Sequence, residues 1–268
     1  MTEFKRISLT INDHVAVLTL NHPEAMNAVS MQMLRDLDAA LKEVEDPANG
    51  ARCLVITGAG RGFCAGANLT DPEGVGSRDT SGPSDAGSVL EGYYHPLLRR
   101  LRDLRMPVIT AVNGVAAGAG MSFALMGDLV FAARSASFLQ AFRRIGLVPD
   151  AGSTWLLPRL VGKARALELS LLGEKLSAEK AESWGLINRV YDDAELMAET
   201  MKIATELAHG PTLALSLIRK AYALSANNSY EQQLEIERQF QRAAGQSEDF
   251  AEGVRAFVQK RPAEFKGR

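Results

Sequence analysis

Apolar positions along the chain follow two rhythms. Val15–Leu20, Cys53–Thr57, Val108–Val112 and Leu129–Ala132 are short, nearly unbroken apolar runs bounded by Asn, Asp, Gly or Pro, and they read as buried strands. Between them the spacing turns helical. Leu34, Leu37, Leu41 and Val44 fall on one stripe, with Ser30 placed to cap the helix and Pro47 with Asn49-Gly50 to end it. A further helix spans about Val89 to Leu104, and Ala136–Gln140 begins another turn of the strand pattern. Strand, helix and strand at this spacing predict βαβ units and a parallel sheet. After about residue 160 the pattern is helical: Leu196, Met197, Met201, Ala204, Leu207 and Ala208 share one face of 194–208. Helices follow from Pro211-Thr212 and over Tyr230–Ala244. The last helix opens at Ser247, carries the stripe Phe250, Val254, Phe257 and Val258, and has Lys260 and Arg261 in its final turn before Pro262. The expected organisation is an α/β core over 1–205 and a helical module over 206–268.

One stretch breaks both rhythms. Met106–Val130 begins as a β-branched strand, passes through Asn113-Gly114 into a segment of almost pure Gly and Ala, and enters an apolar helix at about Gly120. Side chains this small let another group come close to the backbone. A helix starting there aims unpaired N–H groups and a positive dipole end at that group. The stretch therefore predicts a backbone site for an oxygen that carries or develops negative charge. A second Gly cluster, Gly58–Gly62, follows the Cys53–Thr57 strand. Beyond it, 71–88 is rich in Gly, Ser, Asp and Pro and reads as a surface loop, either a lid or a tolerated insertion.

Composition narrows the field by exclusion. A formal net charge of −2 over 268 residues gives no reason to expect a nucleic-acid or anionic-membrane partner. The N-terminus lacks the layout of a signal peptide, and no apolar run approaches the roughly 20 residues of a membrane span. Two cysteines, Cys53 and Cys64, fit neither a disulfide framework nor a zinc pattern, so no metal site is expected and the expected setting is cytoplasmic.

Three chemistries compete for the glycine clusters. A dinucleotide fingerprint G-x-G-x-x-G fails, because its last position is Phe63 or Phe123 and no Walker lysine follows. A serine nucleophile elbow at Gly120-Met121-Ser122-Phe123-Ala124 has Asp150 and His209 downstream in the right order. It nevertheless misses the final small residue, and its strand ends ten positions early, near Val112. The third reading joins the clusters: Phe63–Asn68 and Gly118-Ala119-Gly120 each give a backbone N–H to one carbonyl oxygen. Such an oxyanion hole stabilises an enolate by roughly 2.7–4 kcal/mol per donor. Asp150 is then either the acid–base group or only the cap of a helix beginning near Gly152.

GAGRGFCAGANL (58–69), AVNGVAAGAG (111–120) and IGLVPDAG (145–152) resemble the signature regions of the crotonase (enoyl-CoA hydratase/isomerase) superfamily. The resemblance runs through essentially the whole chain. The longer segments 96–120, 137–162 and 252–268 are most similar to the isomerases of phenylacetate degradation, which act on the epoxide of ring-1,2-epoxyphenylacetyl-CoA. The resemblance implies a crotonase-like α/β spiral of ββα units with a C-terminal helical trimerisation module, in a homotrimer or a dimer of trimers. It implies an acyl-CoA substrate without metal or redox cofactor, the amides of Ala67 and Ala119 as oxyanion hole, and Asp150 as the acid–base group or a nucleophile. Ala25, Met26, Ala65, Asn68 and Gly118 would line the CoA, with Phe257 and Lys260 reaching the CoA of a neighbouring subunit. Met26 stands where the family often has a basic residue. The two glutamates of the family's hydratases would fall at Ser122 and Phe142, so their absence implies isomerisation rather than addition of water, with a hydratase using Asp150 as sole acid and a non-catalytic acyl-CoA-binding homologue as the alternatives. Tyr93, Tyr94 and His95 fall where an acyl-pocket wall is expected, or are core and surface.

Overall fold

In the computed structural model, which describes residues 3–74 and 85–268, the four apolar runs form the middle of a six-stranded sheet. The chain enters it through a hairpin, β1 (Ile7–Asn12) and β2 (Val15–Leu20), where the apolar pattern predicts β2 alone. Asp13 and His14 both adopt positive φ (48° and 64°), the requirement of the tight turn whose twist matches the strands it joins. β3 (Cys53–Gly58), β5 (Val108–Val112), β7 (Leu129–Ala133) and β10 (Arg189–Tyr191) then add in parallel, in the order β1-β2-β3-β5-β7-β10. β5 is buried along its whole length, as its unbroken apolar run requires.

A second, four-stranded sheet is built from pieces of two or three residues: β4 (Gly62–Cys64), β6 (Val115–Ala117), β8 (Ser137–Leu139) and β9 (Leu176–Ser177). β3 to β4, β5 to β6 and β7 to β8 each step from the large sheet to the small one, giving a spiral of ββα turns. The corners are tight. A Cβ on Gly114 would lie 2.2 Å from the Arg61 carbonyl oxygen, and the Asn113 side chain accepts from Gly58 N (3.0 Å) and donates to Gly60 O (2.9 Å).

α1 (Met31–Glu45) follows β2 and buries Leu34, Leu37, Leu41 and Val44, each worth about 1.5–3 kcal/mol of apolar burial. Its first turn is capped twice, by Ser30 Oγ accepting from Met33 N (3.2 Å) and by the Asp71 carboxylate accepting from Met31 N (2.7 Å). Asp71 begins the polar 71–88 segment; residues 75–84, on which the loop expectation rests, lie outside the described residues. The chain returns through α2 (Ala86–Val89), a π-helical turn (Leu90–Tyr94) and α3 (His95–Asp103), one continuous rod where a plain helix is expected. α4 (Ala119–Ala124) follows β6. α5 (Ser153–Leu172), broken at Gly162, follows β8, and α6 (Ala178–Ser183) precedes β10.

The remaining helices are α7 (Leu196–Ala208), α8 (Thr212–Ser225), α9 (Tyr230–Gly245) and α10 (Glu248–Gln259). α7 buries Leu196, Thr200, Ala204 and Ala208. α8 is fastened by Arg219, whose guanidinium donates to the Asp128 carboxylate and the Leu104 carbonyl. The C-terminal tail folds back on α10, where the Asp249 carboxylate accepts from Lys266 N (2.6 Å) and Gly267 N (2.8 Å). α10 ends two residues earlier than its charge pattern suggests. Lys260 is its left-handed cap (φ 53°) rather than part of the last turn, because Arg261 leaves the helix to pair with Glu252. The stripe Phe250, Val254, Phe257 and Val258 is exposed along this chain.

Candidate active site

The two small-residue segments meet. After β4 the chain runs through Ala65-Gly66-Ala67 beside Val29, which bonds to the residues on either side of Ala67: Val29 N donates to Gly66 O (2.7 Å) and Asn68 N to Val29 O (2.9 Å). That pairing leaves the Ala67 N–H on the opposite side of the segment. After β6, Gly118 turns the chain with φ 52° and ψ −126°, a conformation closed to residues with a Cβ, and α4 starts at Ala119. The first N–H groups of a helix have no intrahelical acceptor. Among the described residues neither the Ala67 nor the Ala119 N–H has a hydrogen-bond partner.

Close approach explains the glycines. A methyl on Gly66 would lie 2.8 Å from Ala117 O and 3.7 Å from Ala119 N, and one on Gly120 would lie 2.2 Å from Cys64 O. Two unpaired donors on abutting backbone segments are the geometry of a site for one oxygen. α4 has only six residues, so the expected dipole contributes little beyond its first N–H groups.

Of the two uses expected for Asp150, the helix cap is not met. The N-cap of α5 is Gly152, and no side chain bonds the first turn. Asp150 Oδ1 is instead buried without a hydrogen-bond partner, and burial alone pushes the carboxyl up to about 6. A carboxyl that is half ionised at about pH 6, with a buried oxygen free of partners, is suited to taking a proton and returning it.

Tyr94, at the end of the π-helical turn, is buried and stacks on Phe123 of α4 at 5.9 Å. Burial first, then the proximity of Cys64, Asp150 and Asp71, holds its phenol far above the usual range, so it remains a neutral donor near Asp150. Tyr93 and His95 are exposed. His209 lies against His14 and Asp13, at 3.2 Å from the latter, and Ser122 meets the backbone of Asp150 rather than its carboxylate. The Ser–His–Asp alternative is not assembled.

The sequence profile described as Enoyl-CoA hydratase/isomerase matches residues 10–268. The chain belongs to the enoyl-CoA hydratase/isomerase family. It is 50% identical over 255 residues to the 1,2-epoxyphenylacetyl-CoA isomerase of Escherichia coli (strain K12), covering 95% of each chain. It is 32% identical over 256 residues to the mitochondrial enoyl-CoA hydratase of Pongo abelii, covering 95% of this chain and 84% of that one. The fold superposes on the crystal structure of enoyl-CoA hydratase from Bacillus anthracis with a TM-score of 0.90 at 30% identity, covering 98% and 100% of the two chains.

In this member of the enoyl-CoA hydratase/isomerase family, three of the residues expected along the CoA, Ala25, Met26 and Ala65, sit together on one rim. Ala25 closes a short 3₁₀ turn, Met26 follows in the left-handed conformation, and Ala65 N donates to Met26 O (2.9 Å). The rim depends on Asn27, which no sequence pattern marks. Fully buried, its side chain accepts from His22 N (2.8 Å) and donates to Ala59 O (2.9 Å) and Gly62 O (2.8 Å). Where the family often has a basic residue, Met26 Sδ instead receives the Arg61 Nε–H at 3.1 Å, so a cation reaches the same place from the neighbouring loop. Asn68 turns its side chain onto Thr70 (2.8 Å). Phe257, 86% exposed, and Lys260 stand on α10 with no hydrogen bond or ion pair to this rim. Among the described residues no cluster of three or more His, Cys, Asp or Glu could hold a metal, and no helix is long and apolar enough to cross a membrane.

Proposed function

We propose that the chain is an acyl-CoA isomerase acting on ring-epoxide or unsaturated acyl-CoA of the phenylacetyl type. The Ala67 and Ala119 N–H groups hold the thioester oxygen, and Asp150 works as the single acid–base group. The carbonyl oxygen gains charge as a proton leaves the carbon conjugated to it, and the two backbone donors stabilise that enolate. The Asp150 carboxylate accepts the proton and returns it at another carbon, so nothing is added to or lost from the substrate.

The observation that carries this reading is the Asp150 carboxyl, with Oδ1 buried and without a partner and its ionisation pushed up to about 6 by burial, together with Ser122 and Phe142 at the two positions where a hydratase of the family has its acids. The isomerase name of the Escherichia coli relative agrees with it. Ala25, Met26, Ala65, Asn68 and Gly118 line the CoA in this reading, and Arg61 supplies the cation that Met26 lacks. The reading also takes residues 206–268, a division falling in the last turn of α7, as the assembly module of a cytoplasmic homotrimer or dimer of trimers. The exposed Phe257 and Lys260 then face a neighbour's CoA, and no cofactor is needed beyond the CoA that the substrate carries.

Spectrophotometric assay of a panel of epoxy- and enoyl-CoA thioesters, with the native chain and Asp150→Ala, tests the proposal. Isomerised product lost in the variant supports it. Native-like turnover by the variant refutes the role of Asp150, and rapid hydration of crotonyl-CoA refutes the isomerase assignment in favour of a hydratase.

A further inference from the structure

Ser122 lies one turn into α4 from the Ala119 donor and is fully buried. A serine inside a helix ordinarily bonds back to the carbonyl four residues before it. Here that contact, to Gly118 O, is long at 3.4 Å. The hydroxyl is nearer to the Asp150 carbonyl oxygen at 3.1 Å and to Ser153 Oγ at 2.5 Å, and Ser153 Oγ lies 3.3 Å from Gln140 Nε2. A carbonyl only accepts and an amide NH₂ only donates, which fixes every proton between them. Gln140 donates to Ser153, Ser153 to Ser122, and Ser122 to the backbone of Asp150.

The segment so held needs holding. Ala151 and Gly152 both take positive φ, 49° and 88°, and an alanine in that region costs about 1–2 kcal/mol. The Asp150 carbonyl is gripped a second time by Ser153 N at 3.0 Å.

Resting on the function proposed above, we propose that Ser122, Ser153 and Gln140 are positioning residues: their relay fixes the Asp150 backbone to the helix that carries the Ala119 donor, and so holds the acid at a set place relative to the oxyanion. Among the described residues Asp150 Oδ1 has no hydrogen-bond partner, so the held backbone is what sets where the carboxyl stands. Of the titratable groups around it, the buried Tyr94 on the π-helical turn is near enough for the two to influence each other's charge, and Cys64 and Asp71 act on that same phenol. Arg143 and Arg144 are turned away to the carbonyls of Leu171 (2.6 Å) and Gly173 (2.8 Å).

The test uses the full-length protein and its best thioester from the panel. Ser122→Ala, Ser153→Ala and Ser122→Thr are compared with the native chain, with melting temperature measured alongside. Slackening the relay is expected to lower kcat by about 10²-fold, since a shift of one ångström at a reacting group has that effect, while KM stays within about three-fold. The acid limb of kcat, expected near pH 6 in the native enzyme, moves lower as the freed carboxyl reaches water, and Ser122→Thr restores both. Should Ser122→Ala not fold, Ser153→Ala removes the middle of the relay and must give the same signature. Native kcat with an unmoved acid limb in whichever alanine variant folds overturns the relay. Asp150→Asn in the same assay separates the two ideas. If it is inactive while the serine variants are native-like, only the positioning role falls; if it turns over normally, the acid–base reading itself has failed.

Discussion

Asp150→Asn is expected to make the protein more stable and less active at once, and the size of the gain follows from the burial. A carboxyl that ionises near 6 in the folded chain but near 3.8 when free keeps, in the folded state, a proton that the unfolded state has already lost between those values. Stability is therefore highest below pH 4, falls as pH rises through 6, and is level above it. At 1.36 kcal/mol per pH unit the full cost of the charge is about 3 kcal/mol. Part of the side chain reaches solvent, which screens the charge and reduces the expected cost to about 1–2 kcal/mol. Asparagine has the same shape and never ionises. Urea denaturation of native and variant protein at pH 7.5 and pH 4 isolates the effect, because any consequence of the amide that does not depend on pH cancels in the difference. The variant should gain about 1–2 kcal/mol on the native chain between pH 4 and pH 7.5, or roughly 2–8 °C in melting temperature. Its kcat should fall by about 10²–10⁴-fold. A stability difference that does not change with pH would show that the carboxyl carries no burial cost and refute the reasoning.

Three further outcomes follow from single contacts. Gly120→Ala sets a methyl 2.2 Å from Cys64 O, backbone against backbone, and should cost about 1–3 kcal/mol or more together with activity, whereas Gly92→Ala, with open space around it, should be neutral or stabilise by up to about 1 kcal/mol in the same melts. Arg61→Ala should raise KM for CoA thioesters with kcat nearly unchanged, and a KM equal to that of the native enzyme would remove Arg61 from the binding rim. Cys53 and Cys64, whose thiols burial pushes up to about 12, should be inert to a thiol reagent at pH 8 in the folded protein and both react in guanidinium; fast labelling before unfolding would contradict the packing.

The sequence showed the large sheet more clearly than the small one, for a physical reason. β3 and β5 are buried on both faces, so their side chains form continuous apolar runs that stand out against the turns. β4 and β6 are three residues long, too short for any period, and their Gly and Ala serve close packing rather than a strand pattern, whereas β8, inside the apolar 136–140 run, does show the strand pattern. Caps were legible because they are local: Ser30 and Ser247 each accept from the backbone N–H three residues on. Asn27, Ser153 and Gln140 were not, because what makes them matter is a partner distant in sequence. Asp150 lay between these cases. An Asp two residues before a helix looks like a cap, and only the positive φ of Ala151 and Gly152 swings its side chain out of capping reach.

The small-residue segment also explains why the candidate site can be rigid while built from backbone. Gly66 and Gly120 allow the strand end at Cys64 and the start of α4 to touch, so the two donors are set by main-chain packing rather than by rotamers. α4 then extends that rigidity to the acid, since Ala119 at its first position and Ser122 three residues later sit on one turn. A helix of six residues is sufficient for this because its task is to keep a distance constant, and one turn fixes three positions relative to each other. On this view the Gly-Ala run is selected for how closely two chain segments approach. A substitution that leaves Asp150 and both donors chemically intact but separates β4 from α4 should therefore be as damaging as removing the acid, and Gly120→Ala, compared in kcat with Asp150→Asn, measures that directly.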